Sequence, residues 1–111
     1  MPITWSDFEK IDIRVGTIVQ ATVFPKAKKP AYQLTIDFGE TIGIKKSSAQ
    51  ITVHYTPEQL TGQQVIAVIN FPPKQIATFI SKCLVLGIYD EKEEVVLLQP
   101  QRPVTNGLKI G

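Results

Sequence analysis

The fold of this chain is decided by the stretch Asp12-Ile13-Arg14-Val15-Gly16-Thr17-Ile18-Val19. Every second position from Ile13 to Val19 is apolar or β-branched, and this period of two predicts a β-strand. Gly16 lies in its middle and has no side chain to pack, which predicts a bulge, a sharp bend or the close approach of another backbone. A small closed barrel needs such a long, kinked first strand, because that strand belongs to both halves of the sheet.

The segments that follow show the same kind of pattern. Alternation or short apolar runs predict further strands over residues 32–38, 41–47, 65–70, 81–89 and 95–98. Residues 48–60 predict a connector with one or two helical turns, because Thr56 and Pro57 suit the N-cap and the first helical position. A short helix is predicted near the N-terminus, with Thr4 as its cap. Prolines 72 and 73 predict a stiff, open turn before the fifth strand.

A helical connector between the third and fourth of five or six short strands is typical of one architecture. We therefore predict an all-β protein, an OB-fold five-stranded barrel with a short N-terminal helix and a C-terminal extension. The chain has 111 residues, 43% of them hydrophobic, which predicts a single domain over residues 1–111 with one modest core.

The charge of the chain is unevenly distributed. The formal net charge of +2 is too small to indicate nucleic-acid binding by itself. Between Arg14 and Tyr89, however, the sequence has eight Lys or Arg residues and only three Asp or Glu residues. Residues 90–94 then contain four acidic residues and one Lys. We expect a mildly basic barrel with one acidic loop.

Few residues suggest catalysis or metal binding. His54 is the only histidine and Cys83 the only cysteine, and neither has a partner at ligand spacing. Cys83 lies in an apolar run, which favours a small core residue over a reactive thiol. No serine has the surroundings of a nucleophile elbow. We predict a protein that is not an enzyme and uses no metal or cofactor.

The chain shows no sign of export or of membrane insertion. No apolar run approaches the roughly 18 residues of a membrane span. The N-terminus lacks the basic region and apolar core of a signal peptide. We expect a cytoplasmic protein.

A binding surface is the remaining possibility, since OB-folds bind ligands through basic groups interleaved with aromatic ones. The candidates for nucleic-acid contact are Arg14, Lys45, Lys46, Ser48, Gln50, Asn70, Lys74, Ser81 and Lys82. The candidates for contact with an apolar peptide are Asn70, Phe71, Phe79, Ile80 and Leu84. Alternatively, the cations only keep the sheet soluble. The loop with Lys26, Lys28 and Lys29 is either a solvated turn or a phosphate contact.

The chain also has more apolar surface than a five-stranded barrel needs. A two-fold interface would bury the excess, which predicts a homodimer. The candidate interface residues lie near the two ends of the chain and are Trp5, Phe8, Val95, Leu97, Leu108 and Ile110.

The motif from Asp12 to Gly16, followed by Ile18, resembles the opening of the tRNA-binding domain family. That family is an OB-fold found appended to some aminoacyl-tRNA synthetases and as free-standing dimers. Its later blocks are matched in order, so the resemblance spans about residues 8 to 111. Those blocks are Ser47-Ser48, residues 55–62, residues 65–70 and Ser81.

Within the family, some segments resemble a subfamily of free-standing, export-related chaperones from bacteria and archaea. These segments are residues 36–39, 43–45, 47–52, 70–73 and 95–100. The resemblance implies a homodimer that binds preproteins or unfolded peptides in an apolar groove and contacts the secretion ATPase SecA.

Three features depart from the tRNA-binding members of the family. Phe24 replaces the usual His before proline, residues 75–79 lack a basic stretch, and Leu84 replaces a Met. Each change removes polarity, charge or a nucleic-acid contact, and cations supply most non-specific affinity for nucleic acids. The sequence therefore favours a peptide-binding chaperone. The alternative is a tRNA-binding module with salt-dependent, largely non-sequence-specific RNA binding.

Overall fold

The computed structural model describes every residue from Met1 to Gly111. Its helices are α1 (Trp5–Glu9) and α2 (Pro57–Leu60). Its strands are β1 (Ile13–Val23), β2 (Tyr32–Asp37), β3 (Ile44–Ala49), β4 (Gln64–Val68), β5 (Lys74–Ile76), β6 (Phe79–Ser81), β7 (Leu84–Val85), β8 (Gly87–Tyr89) and β9 (Val95–Leu97).

The main sheet has five antiparallel strands in the order β3-β2-β1-β4-β7. Its two edges come together where the backbone N–H of Lys82 donates to the carbonyl of Lys46 over 2.8 Å, so the barrel is nearly closed. The helix α2 lies between β3 and β4. The predicted all-β OB-fold is confirmed.

Strand β1 is the long shared strand that the opening motif predicts. It pairs with β4 through residues 13–17 and with β2 through residues 17–23. A methyl group at Gly16 would lie only 2.7 Å from Ile36 and 2.8 Å from Phe38, so the glycine allows close approach, of side chains rather than of a backbone. The bulge lies further along, between Ile18 and Gln20. It offsets the inward positions, so that Ile18 and then Ala21 pack on the core.

The core fills the barrel with aliphatic and aromatic side chains. Strand β2 contributes every second residue, Tyr32, Leu34 and Ile36, in agreement with its alternating sequence. The whole cluster consists of Ile18, Tyr32, Leu34, Ile36, Phe38, Ile51, Leu60, Val65, Ala67, Cys83 and Leu97.

The C-terminal segment pairs with the first residues of β1, along the edge that β2 occupies only from Thr17 onward. Val15 donates its N–H to Leu108 over 3.1 Å and accepts from Gly107 over 2.7 Å, and Ile110 donates to Ile13 over 2.9 Å. Gly107 has a φ of +91°, and a Cβ there would meet the carbonyl oxygen of Phe38. The extension therefore acts as an additional strand-like element of the barrel.

Both helices begin where their caps predict. In α1 the Thr4 hydroxyl accepts from the N–H of Asp7, whose carboxylate accepts from the N–H of Thr4, each over 3.1 Å. In α2, Thr56 and Gln59 form the same reciprocal pair. The connector between β3 and β4 thus contains one short helix.

The predicted strand bounds were wrong in two places. Strand β3 starts at Ile44 and runs through Ala49, because Gly39 and Gly43, both at positive φ, extend the preceding turn. Strand β4 ends at Val68, before Asn70.

The single strand predicted over residues 81–89 is also divided. Three short strands, β6, β7 and β8, pair with β5, β4 and β9 respectively. Strand β5 itself lies partly within the turn predicted after the double proline. Because the chain changes pairing partner twice within nine residues, its local pattern could not show the breaks.

Candidate ligand-binding groove

Two adjoining pockets lie beside the hairpin of β5 and β6. The first, here called the apolar pocket, has a volume of about 280 Å³ and is lined by Ser48, Gln50, Phe71, Pro72, Lys74, Ile76, Ser81, Lys82, Cys83 and Leu84. The second, the lysine pocket, has a volume of about 680 Å³ and is lined by Lys26, Ala27, Lys28, Lys29, Ala31, Ser48, Gln50, Lys74, Gln75, Ile76 and Ala77. Four residues line both pockets, which therefore form one groove: Ser48, Gln50, Lys74 and Ile76.

The apolar pocket exposes two large side chains from different parts of the chain. Phe71 follows β4 and is 53% exposed, and Leu84 opens β7 and is 47% exposed. Exposed apolar surface next to a concavity favours an apolar ligand group, because burial there removes that surface from water.

Asn70 positions the segment that carries Phe71. Its side-chain oxygen accepts from the N–H of Asp12 over 3.0 Å, and its amide nitrogen donates to the carbonyl of Lys10 over 2.7 Å. Both ends of the amide are thus engaged within the protein. Asn70, predicted as a ligand contact, lines neither pocket and instead joins β4 to the N-terminal segment.

The groove is positively charged. Five lysines line it, whereas no aspartate or glutamate does: Lys26, Lys28, Lys29, Lys74 and Lys82. None of these lysines belongs to the ion pairs of the chain, which are Asp7–Lys10, Asp12–Arg14 and His54–Asp90. The groove therefore attracts anions without competition from neighbouring carboxylates.

Phe79 differs from its prediction as an exposed aromatic contact. It is only 9% exposed and packs on Phe24, with 5.3 Å between the ring centroids, and on Ala31. The ring therefore anchors the hairpin to the end of β1 and has no free face. Ile80, the next residue, is 47% exposed but lines neither pocket.

Two serines connect β3 to the wall of the apolar pocket. The hydroxyl of Ser47 donates to the carbonyl of Cys83 over 2.9 Å, and that of Ser81 donates to the same carbonyl over 3.3 Å. The Ser81 hydroxyl also accepts from the N–H of Ser48 over 3.4 Å. Ser81 therefore has a structural role at the pocket wall in addition to facing the pocket.

Cys83 belongs to the barrel core, as its apolar context predicts. Burial raises the pKa of its thiol to about 11, so it is protonated at neutral pH. A protonated, buried thiol is a weak nucleophile.

Three cations predicted to contact nucleic acid lie outside the groove. Arg14 donates from Nε to Asp12 over 2.6 Å and from a terminal nitrogen to the carbonyl of Gly107 over 3.0 Å. It thereby fastens the C-terminal segment to β1. Lys45 and Lys46, on β3, line neither pocket.

The predicted dimer residues have different environments. Trp5 and Leu108 are largely exposed, and Trp5 contacts Phe8 with 5.4 Å between the ring centroids. Phe8, Val95 and Ile110 are partly buried. Leu97 is 9% exposed and belongs to the barrel core, so it is not available to a partner.

Few side chains of this protein are arranged as catalytic groups. His54 pairs with Asp90, with 2.8 Å between Nε2 and Oδ2, and not with a serine. No three His, Cys, Asp or Glu side chains are grouped so that they could hold a metal ion.

Neither helix has the length and apolar character needed to cross a bilayer.

Sequence reasoning missed part of the groove. Pro72, Ile76 and Ala77 line it, yet no pattern marked them as contacts. Ile76 becomes a shared wall only because β5 folds back on β6, and that pairing joins residues whose segment looked irregular. The double proline, which indicates an open loop, was the one available signal.

Comparison with known proteins supports a binding domain. Residues 13–109 match the family described as "Putative tRNA binding domain". The methionine–tRNA ligase of Methanococcoides burtonii is 37% identical over 105 residues, which cover 95% of this chain and 15% of that protein. The chain thus spans about one-sixth of the length of the ligases it matches.

Solved structures give similar folds over the full chain. The chaperone CsaA of Bacillus anthracis is 50% identical with a TM-score of 0.94, and the match covers 100% of both chains. The CsaA chaperone protein of Picrophilus torridus is 53% identical with a TM-score of 0.92, covering 99% of this chain and 100% of that one.

The chain belongs to the tRNA-binding domain family, as its opening motif predicts. The chaperone subfamily that its other motifs resemble is that of CsaA, and its structural neighbours confirm this resemblance. The family matched is one of binding domains rather than a catalytic one.

Proposed function

We propose that this protein is a cytoplasmic, protein-export-related molecular chaperone that binds unfolded or preprotein peptides as a homodimer. The observation that carries the proposal is the apolar pocket with its half-exposed Phe71 and Leu84. The likeness to proteins named as CsaA chaperones supports it.

The size of the pocket suits a peptide side chain. A volume of about 280 Å³ lies just below the 300–1,000 Å³ typical of small-molecule sites. An apolar side chain of an unfolded segment is accessible to such a pocket, whereas the same side chain in a folded protein is in its core. The pocket would therefore distinguish unfolded from folded clients.

The homodimer would cover the apolar surface at the N-terminal helix. Trp5 is 67% exposed and, with Phe8, presents an aromatic pair to solvent. Aromatic residues are enriched in the buried centres of interfaces. Leu108 and Ile110 on the C-terminal segment extend the candidate interface. Contact with SecA belongs to the same proposal and rests on the subfamily resemblance.

Matched variants test the peptide site. Leu84 and Ile80 are equally exposed at 47%, but only Leu84 lines the apolar pocket. Titration of a fluorescent signal-bearing peptide should show about tenfold weaker binding to Leu84→Ser, since losing roughly 1.4 kcal/mol of apolar burial changes affinity tenfold. Binding to Ile80→Ser should equal that of the unaltered protein.

The proposal fails if the protein neither binds such a peptide nor suppresses aggregation of an unfolded client. Equal losses in the Leu84→Ser and Ile80→Ser variants would place the peptide site elsewhere. Sedimentation equilibrium tests the dimer separately, and Trp5→Ser should shift the equilibrium towards monomer.

A second candidate function is that of a tRNA-binding module with salt-dependent, largely non-sequence-specific binding. The observation that favours it is the lysine pocket, which no carboxylate lines. Its affinity for tRNA should decrease steeply as salt rises, because binding releases counterions from the phosphates. Gel shifts over a salt series test this, and the absence of a shift at low salt would exclude it.

A further inference from the structure

We propose that a second groove of this protein binds the main chain of an extended polypeptide segment, without requiring particular side chains. This groove shares no lining residue with the groove beside the β5–β6 hairpin. The inference rests on the proposed peptide-binding function and gives its clients a second point of contact.

The second groove consists of two adjoining pockets of about 240 and 220 Å³. Gln63 and Gln99 line both pockets, which are therefore continuous. One wall belongs to residues 54–64, which include α2, and the other belongs to residues 97–103, which begin at the end of β9. We call this site the amide groove. A cleft between two chain segments suits a linear ligand.

Amide side chains, rather than charged ones, line this groove. Five of the nine glutamines of the chain do so: Gln59, Gln63, Gln64, Gln99 and Gln101. No Asp or Glu lines the groove, and Arg102 is its only Lys or Arg. A site with so little charge attracts neither phosphates nor charged side chains strongly. Its amides do match the neutral donors and acceptors of a polypeptide main chain.

Backbone contacts fix which end of each amide is free. Gln59 Oε1 accepts from the N–H of Thr56 over 3.0 Å, which leaves its nitrogen free. The Gln99 nitrogen donates to the carbonyl of Gln64 and to Oε1 of Gln63, each over 3.0 Å. The groove therefore offers a ligand the nitrogens of Gln59 and Gln63 as donors and the oxygen of Gln99 as an acceptor.

Tyr55 adds a third donor at the end of the groove nearest α2. Its hydroxyl oxygen accepts from the N–H of Leu97 over 3.0 Å, and its hydrogen has no acceptor within the protein. Leu60 and Leu97, both buried, line the same pocket. Three donors and one acceptor suit a main chain, because each of its residues carries a carbonyl with two lone pairs and a single N–H.

The two walls are held in place by contacts within the protein. Gln64 donates from Nε2 to the carbonyl of Val104 over 2.6 Å, and its Oε1 accepts from the N–H of Val104 over 3.0 Å. The carbonyl of Gln63 accepts from the N–H of Ile18 over 2.9 Å. The groove is thus formed before a ligand arrives, which lowers the entropic cost of binding.

Main-chain recognition would distinguish unfolded from folded clients. In a folded protein nearly all buried N–H and C=O groups are already paired, whereas in an unfolded segment they are accessible. The apolar pocket would take a side chain of the client, and the amide groove would take its backbone.

The experiment follows the glutamine side chains directly. An acetylated and amidated peptide of about ten alternating Gly and Ser residues, which is flexible and uncharged, is added to the isotope-labelled full chain. Nitrogen–proton correlation spectra report each side-chain amide. We expect the amide signals of Gln59 and Gln63 to shift, and to shift equally with a Gly-Thr peptide of the same length. The shifts should persist from about 50 to 500 mM salt, because no charges are paired.

Matched variants test the same contacts. Gln59→Met combined with Gln63→Met removes two free donors at nearly constant side-chain size, and should weaken binding of the Gly-Ser peptide about tenfold. Gln20→Met is the control, because Gln20 is exposed on β1, makes no hydrogen bond through its side chain and lines neither groove. It should bind the peptide as the unaltered protein does. Urea unfolding checks that each variant is folded.

Each contrary result has its own meaning. Shifts at Gln50 and Gln75 instead of Gln59 and Gln63 would place the peptide beside the β5–β6 hairpin, and would overturn the inference while the proposed function stands. Equal shifts with a neutral oligosaccharide would overturn the choice of ligand. The absence of any shift would also overturn the inference. The proposed function fails with it only if the signal-bearing peptide does not bind either.

Discussion

The barrel interior and the groove beside the β5–β6 hairpin adjoin at Cys83, yet they differ in packing. In the interior, Leu34 and Ile36 are fully buried and Gly16 has no space for a methyl group. In the groove, Phe71 and Leu84 are half-exposed and the lysines have no acidic partners. We therefore expect stability and ligand binding to depend on separate residues, so that each can be changed without the other.

The largest expected effect comes from matched leucine truncations on the two sides of this boundary. Leu34→Ala should lower the free energy of unfolding by about 2–5 kcal/mol, because it leaves a cavity in the core. Leu84→Ala, at a half-exposed position, should cost about 1 kcal/mol or less. Urea denaturation measures both, and similar costs would contradict the separation.

A second test probes the tightness of the interior. Gly16→Ala would place a methyl group 2.7 Å from Ile36, so we expect a loss of about 1–3 kcal/mol from overpacking. Gly43→Ala is the control, since its position has open space and strain arises only from its positive φ. If Gly43→Ala lowers the free energy of unfolding more than Gly16→Ala does, backbone conformation rather than packing explains why glycine is needed at these positions.

The third test asks whether the cationic side chains also separate into those that stabilise the fold and those that bind ligand. Arg14→Met removes the bonds to Asp12 and Gly107 and should lower stability by about 1 kcal/mol, since the pair is only partly buried. RNA affinity should be unchanged. Lys82→Met should show the reverse, with weaker RNA binding and unchanged stability. A loss of RNA affinity in Arg14→Met would extend the groove to β1.

The fourth test changes the sign of the effect. Ala77, at the tip of the β5–β6 hairpin, has a φ of +55°, a region that glycine adopts without strain. Ala77→Gly should therefore stabilise the protein by about 0.5–1 kcal/mol in thermal unfolding. Ala49→Gly, within β3, is the matched control and should destabilise it. If both variants are less stable, the extra conformational entropy that glycine loses on folding outweighs the relief of backbone strain at Ala77.

The smallest effect concerns acid stability at the loop after β8. The pKa of Asp90 lies below its usual 3.8 because the N–H of Glu94 donates to it, as do His54 and the N–H of Lys92. Its contribution to stability is present above 3.8 and is lost as the pH falls through the lower, folded value. Asp90→Asn should therefore make the free energy of unfolding less dependent on pH in that range.

Ligand chemistry was only partly predictable from the residues. Ser48, Gln50, Lys74, Phe71 and Leu84 were all candidates, and the groove brings them together. Their side-chain types predicted polar, cationic and apolar contacts. Their common location depended on β3, β5 and β7 meeting at one edge of the barrel, which no single segment encodes.

The sequence by itself determined the long first strand and the starts of both helices. The strand period of β1 and the caps at Thr4 and Thr56 follow from the steric and hydrogen-bonding preferences of residues close in sequence. These preferences act within a few residues and are legible without the fold.

Only the tertiary structure decided which side chains are free. Phe79 is buried by Phe24, Arg14 is engaged by Gly107, and Leu97 is enclosed by the barrel. An exposed and a buried aromatic residue look alike in a sequence, because burial is set by partners that are distant along the chain. The groove exists because β5 and β6 fold back beside β3 and leave Phe71 and the lysines uncovered.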